Sequence, residues 1–88
     1  MSNENETLRW PTNLDRAGIV ERLVQVRAMA AEAGLADLAA RFSAVETMAS
    51  SEIGANVVGA LTWIQEKPEY QGITTQLAMV AMNLKNLG

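Results

Sequence analysis

Apolar residues recur at helical spacing along most of this chain, and the pattern predicts four helices. In the first predicted helix they step alternately by four and three residues, which places them on one face. That face comprises Ile19, Leu23, Val26, Ala30 and Ala33. A capping-box pattern of Thr12 with Asp15, or the rival cap Asn13, should begin this helix. Gly34 should end it, because glycine readily adopts the left-handed conformation favoured just after a helix.

The second and third predicted helices continue the same spacing. The inward positions of the second are Leu35, Leu38, Phe42, Val45 and Ala49. Ser50 and Ser51 should end it and cap the third helix. The inward positions of the third helix are Ile53, Val57, Ala60, Leu61 and Ile64. Pro68 should stop this third helix, because the residue before a proline is disfavoured in the helical region.

The fourth predicted helix has two possible starts. It begins at Pro68, or after Gly72 with Thr74 or Thr75 as its cap. Its apolar stripe comprises Ile73, Leu77, Val80, Leu84 and Leu87. No strand pattern is evident, and short connections favour antiparallel neighbours. We therefore predict an all-α fold, a compact four-helix arrangement of short antiparallel helices.

The N-terminal residues are polar and lack periodicity. We predict a flexible arm at residues 1–11, followed by a single helical domain at residues 12–88. Leu8 and Trp10 interrupt the polar arm, and we expect both to pack back onto the domain. Deleting residues 1–5 should therefore leave stability unchanged, whereas Trp10→Ala should lower it.

Composition excludes several classes of function. The chain has no cysteine and no histidine, which removes disulfides and the commonest ligands of zinc and copper. Its net charge of −3 argues against binding nucleic acid or an anionic membrane surface. No signal-peptide pattern begins the chain, and the apolar run from Ile53 to Ile64 is too short to span a bilayer. We therefore expect a cytoplasmic protein without a cofactor.

No combination of polar residues predicts a reaction centre. Glu46 with Glu52, and Glu66 with Glu69, flank predicted turns, where solvated carboxylates are the ordinary case. The serines have no histidine or patterned lysine to activate them. The arginines of the first helix (Arg16, Arg22 and Arg27) alternate with acidic residues, so surface ion pairs explain them. The sequence therefore predicts a protein that is not an enzyme.

The region from Ile53 to Leu87 is unusually apolar for a small helical domain. Its charged residues are Glu66, Lys67, Glu69 and Lys85. An exposed apolar face usually indicates a partner. Small residues would let helix backbones approach closely, tryptophan is enriched at interfaces, and methionine suits adaptable contacts. The interface candidates on these grounds are Gly54, Gly59, Trp63, Met79 and Met82.

Each candidate also has a simpler explanation within one chain. The small residues can serve packing inside the monomer, the tryptophan can cover them there, and both methionines can fill gaps in the core. We nevertheless expect a small non-catalytic interaction or assembly module, a homodimer joined through its third and fourth helices, with an unidentified protein as a further possible partner. The alternative is a helical bundle that binds an apolar ligand such as an acyl chain. On the dimer hypothesis, Gly59→Leu and Met82→Lys should each weaken association.

The absence of histidine and cysteine yields a direct prediction. A strong chelator should leave the far-ultraviolet circular dichroism and the melting temperature unchanged, because no tight zinc or copper site supports folding. Loss of helical signal on chelation would contradict the prediction.

Overall fold

The computed structural model describes residues 13–87. It contains the helices α1 (Arg16–Glu32), α2 (Ala36–Arg41), α3 (Ser50–Ile64) and α4 (Gln71–Leu87), with short 3-10 turns at Val45–Thr47 and Pro68–Tyr70. No strand occurs in this part of the chain. The prediction of an all-α fold with four helices is confirmed. The predicted arm at residues 1–11, with Leu8 and Trp10, lies outside the described residues.

The C-terminal helix α4 packs against both α1 and α3, and α1 also packs against α2. The apolar stripe of α4 therefore has a neighbour on each side, and Leu77 and Val80 are completely buried. Helix α4 also contributes Ile73, and the rest of the core comes from the other helices and from the segment between α2 and α3: Ile19, Leu23, Val26, Ala30, Leu38, Phe42, Val45, Ile53, Val57, Ala60 and Ile64. The inward positions that periodicity predicted for α1 and α3 supply most of this core.

Helix α1 begins later than the capping-box pattern indicates. Asp15 is the N-cap, instead of Thr12 or Asn13, and its carboxylate accepts a 2.9 Å hydrogen bond from the Gly18 backbone N–H. Aspartate satisfies an orphan N–H of the first turn as well as any residue type. The residue assigned to the far end of the capping box is therefore the cap itself.

The end of α1 is the one predicted from Gly34, which has a φ of +80°. The Leu35 N–H donates to the Ala30 carbonyl at 2.8 Å, and the Gly34 N–H donates to the Ala31 carbonyl at 3.2 Å. These two bonds form a Schellman motif, which satisfies carbonyls that the helix leaves open. Leu35 is half-buried against the core, so the chain reverses tightly into α2.

Helix α2 is much shorter than predicted. It ends at Arg41, and a turn and the 3-10 segment Val45–Thr47 replace the rest of the expected helix up to Ala49. The expected stripe still packs inward at Leu38, Phe42 and Val45 despite the break. Periodicity therefore identified the buried residues but not the change in backbone.

Arginines of α1 stabilise this break. The Arg27 guanidinium donates to the carbonyls of Phe42 and Ser43 at 3.1 and 2.9 Å, and it forms a 3.2 Å ion pair with Glu46. Arg16 donates to the Met48 carbonyl further along the same segment. Carbonyls that a continuing helix would have paired are thus satisfied by side chains from another helix. Within the described residues Arg27–Glu46 is the only ion pair.

The Arg27–Glu46 pair is sensitive to acid. The hydrogen bond from Arg27 is the main cause that lowers the pKa of Glu46 below its ordinary value. A carboxyl group with a lower pKa in the folded state stabilises the fold above its unfolded pKa. That stabilisation is lost as the pH falls through the lowered pKa.

Asn83 ties the start of α1 to the end of α4. This residue is completely buried on the inward side of α4. Its Oδ1 accepts a 2.9 Å hydrogen bond from the Leu14 N–H, and its Nδ2 donates to the Met79 carbonyl at 2.9 Å. A buried amide group is costly without such partners. The bond to Leu14 therefore fixes where the chain enters α1.

The structure tests the predicted cap of α3 and the two predicted starts of α4. Ala49 is the N-cap of α3 and provides no side-chain hydrogen bond, so the prediction that Ser50 or Ser51 caps this helix is wrong. A 3-10 turn begins at Pro68 and leads directly into α4 at Gln71. Gly72 therefore lies inside α4, and the earlier of the two predicted starts is nearer to the structure.

The contacts of Arg27 give a stability prediction. Arg27→Met keeps an apolar stem but removes the donors to both carbonyls and the pairing with Glu46. It should lower the free energy of unfolding by about 1–3 kcal/mol, as expected for hydrogen bonds to a charged group. Urea denaturation at neutral pH measures this free energy of unfolding. Arg22→Met removes a cation from the same helix without these bonds and is the matched control; equal effects of the two variants would contradict the assigned role.

Candidate functional site

A groove runs between the start of α3 and the end of α4. Its lining comprises Ser50, Ser51, Gly54, Val57 and Val58 from α3, with Ala81, Leu84, Lys85 and Leu87 from α4. We call this the α3–α4 groove. Its volume is about 470 Å³. It exists because α3 packs against α4 on one side and no other described helix covers the outer edge of that pair.

The α3–α4 groove is largely apolar although it is open to solvent. Val58 is 60% exposed, and Leu87 is 43% exposed. Leu84 is half-buried against the core, and Val57 is buried. Among the lining residues Lys85 alone is charged. An exposed apolar surface with polar residues at its edge is typical of an interaction site.

Gly54 lies in the wall of this groove and faces open space. A Cβ atom built on Gly54 would meet no other atom within 4 Å. Glycine costs about 1 kcal/mol relative to alanine inside a helix. Nothing in the described packing of the chain offsets that cost at Gly54.

Gly59 faces a different neighbour from Gly54. Five residues advance a helix by about 500°, so these two glycines point roughly 140° apart. A Cβ on Gly59 would lie 3.0 Å from Nη1 of Arg41. The close approach at Gly59 is therefore to an arginine side chain of the same chain, not to a helix backbone. The two glycines do not form one small-residue face.

Trp63 lies on the same side of α3 as Gly59. Trp63 is 44% exposed, and the Lys67 Nζ lies 5.0 Å from the centroid of its ring. That distance is within the range of a cation–π interaction. With Asp37, Leu38, Arg41 and Ala60 it lines a recess of about 190 Å³. This recess is smaller than the 300–1,000 Å³ typical of small-molecule sites.

The two methionine candidates have different surroundings. Met79 is 3% exposed and so belongs to the interior of the monomer. Met82 is 43% exposed on α4 but does not line the α3–α4 groove. Of the predicted interface residues, Gly54 lies in the groove, whereas Gly59 and Trp63 lie on the flank of α3 that faces Arg41.

Sequence reasoning missed Val58 as a site residue. Its signal was an apolar residue outside the inward stripe, one turn after a glycine. Leu84 and Leu87 were assigned to the inward stripe, but the stripe loses cover towards the end of α4. Spacing alone does not show where a stripe runs past its partner helix.

Residues 13–87 indicate neither a metal site nor a membrane-spanning helix. These residues contain no group of three or more potential metal-binding side chains. None of their helices has the length and apolar character needed to cross a bilayer.

The chain matches no protein-family model, no curated protein and no solved structure.

The contrast between the two glycines is testable in the isolated chain. Gly54→Ala should raise the free energy of unfolding by about 0.5–1 kcal/mol, because alanine gains helix propensity and its methyl group meets open space. Gly59→Ala is the matched control and should gain less, since the Arg41 guanidinium has to move. Denaturation is measured at high dilution, where association is minimal. A destabilised Gly54→Ala chain under those conditions would show that the space beside Gly54 is occupied within the monomer.

Proposed function

We propose that the protein is a small non-catalytic helical interaction or assembly module that forms a homodimer through α3 and α4. The α3–α4 groove is the observation that carries this proposal. It combines exposed Val58 and Leu87 with Gly54, whose missing side chain leaves open space on the same surface. We place this activity in the cytoplasm, because a sequence without cysteine suits a reducing compartment.

The size of the chain supports association. An 88-residue chain buries only about 60–65% of its unfolded surface, so its core is thin. Small domains commonly gain stability from disulfides, metals or oligomerisation. The sequence lacks cysteine and histidine, which leaves oligomerisation as the available means. Covering Val58 and Leu87 would add apolar burial at about 25 cal/mol per Å².

A second candidate function uses the same groove. Its volume of about 470 Å³ falls within the 300–1,000 Å³ range of small-molecule sites, so an acyl chain could lie along it. Saturable binding of a fluorescent fatty acid by monomeric protein, abolished by Val58→Lys, would favour this alternative over the dimer.

Homodimerisation is tested by mass in solution. Light scattering after size exclusion at micromolar concentrations should give about twice the 9.5 kDa chain mass. Val58→Lys should yield a folded monomer, because a charge would be buried at the interface without a partner. Met29→Lys is the control. Met29 is 37% exposed and lies beside Gly72, at the opposite end of α4 from the groove.

The control should remain dimeric with an unchanged circular dichroism spectrum. A wild-type chain that stays monomeric at several hundred micromolar would contradict the dimer.

A further inference from the structure

The chain enters α1 at the end of the bundle where the α3–α4 groove lies. The Leu14 N–H donates to Asn83 Oδ1 at 2.9 Å, which anchors this entry on α4. Leu87 lines the groove and follows Asn83 by four residues, about one turn of helix. Arg16 in the first turn of α1 donates to the Met48 carbonyl, two residues before α3. The residues that precede Leu14 therefore leave the domain close to the groove.

The segment of residues 8–11 precedes the part of the chain that the structure describes, and its sequence suits an apolar groove. Leu8 and Trp10 alternate with Arg9. Pro11 disfavours the helical region for Trp10, so extended backbone is expected there. Extended backbone places Leu8 and Trp10 on one face and Arg9 on the other. The segment therefore offers two large apolar side chains together while its charge stays in water.

This segment is also long enough to reach the groove. Trp10 precedes the anchored Leu14 by four residues and Leu8 precedes it by six. Extended chain spans about 3.3 Å per residue, which gives reaches of about 13 and 20 Å. A helix with its side chains is about 10–12 Å across. Trp10 can therefore reach the end of the groove at Leu87, and Leu8 can reach further along it.

Charge favours the same placement. Among the residues that line the groove, Lys85 alone is charged. Glu4 and Glu6 directly precede the apolar segment and have the opposite sign. Complementary charges at the edge of an apolar contact orient it and remain hydrated. The acidic residues therefore suit the basic edge of the groove.

We infer that residues 8–11 of the same chain cover the α3–α4 groove in the monomer, with Trp10 against Leu84 and Leu87, and compete there with a second protomer. The contact stands without the homodimer, whereas the competition rests on the proposed function. A segment tethered by a short linker has an effective concentration of the order of millimolar. A second copy is present only at the protein concentration. The segment therefore sets the concentration above which chains associate.

Fluorescence of Trp10 tests the contact. Trp63→Phe leaves Trp10 as the only tryptophan and is the background for the fluorescence variants. At submicromolar concentration, where association is minimal, Trp10 emission should lie to the blue of its value in denaturant. Leu87→Lys should shift this emission towards the denatured value, because the ammonium group disrupts the apolar contact. Circular dichroism confirms that each variant is folded.

Met82→Lys is the matched control for Leu87→Lys. Both residues are 43% exposed on α4, but Met82 does not line the groove. Five residues separate them, so they point roughly 140° apart around the helix. Met82→Lys should leave the Trp10 emission unchanged.

The competition is tested in the full chain with Trp63 retained. The double variant Leu8→Ser with Trp10→Ser should tighten the homodimer at least about tenfold, because more chains then have an open groove. Analytical ultracentrifugation measures the dissociation constant. Asn3→Ser with Asn5→Ser changes the same region without removing an apolar side chain and should leave that constant unchanged.

The outcomes separate this inference from the proposed function. Trp10 emission at the denatured value in the folded monomer overturns the contact and leaves the homodimer intact. Emission that moves to the blue only as the dimer forms overturns contact within one chain. Equal shifts from Leu87→Lys and Met82→Lys overturn the placement in the groove. An unchanged dissociation constant in the Leu8→Ser, Trp10→Ser variant overturns the competition. Chains that stay monomeric but keep a buried Trp10 sensitive to Leu87→Lys overturn the homodimer and support the contact.

Discussion

The fold depends on the burial of the apolar stripe of α4 between α1 and α3. Leu77 and Val80 are completely buried there, with Ile73 nearly so. This arrangement gives α1 and α3 a common partner, but it leaves the edge of α3 that carries Gly54 and Val58 without a covering helix among the described residues. The outer edge of α3 therefore remains apolar and exposed. The candidate site is a consequence of how few helices are available to cover that edge.

Polar contacts determine the details that packing leaves open. Arg27 stabilises the break after α2, because its guanidinium donates hydrogen bonds to the carbonyls of Phe42 and Ser43. Asn83 similarly fixes the start of α1 by accepting the Leu14 N–H. Both contacts join residues far apart in the sequence. They convert a set of amphipathic helices into one defined arrangement.

These two kinds of interaction explain what the sequence could predict. Helical periodicity identified the core positions of α1 and α3, and Gly34 identified the turn after α1, because both signals are local. The shortened α2 was missed because Arg27 lies 15 residues from Phe42. The cap at Asp15 was missed because neighbouring Thr12, Asn13 and Asp15 are all good capping residues.

The candidate site was only partly predictable for a related reason. The sequence indicated an excess of apolar residues after Ile53, and it singled out Gly54. It did not show that Gly54 and Gly59 face different neighbours, which depends on where Arg41 lies. Nor did spacing reveal that Met79 is buried while Val58 is exposed. Exposure of an apolar residue is a property of the assembled helices.

The central proposal is that a second protomer covers the exposed α3–α4 groove. Isotope-filtered nuclear Overhauser spectroscopy on a mixture of labelled and unlabelled chains tests this most directly, because it reports only contacts between protomers. The account predicts cross-peaks between the Val58 methyl groups of one protomer and protons of its partner. A mixture in which the Val58 methyl groups show no contact between protomers, at concentrations where the dimer forms, would contradict it.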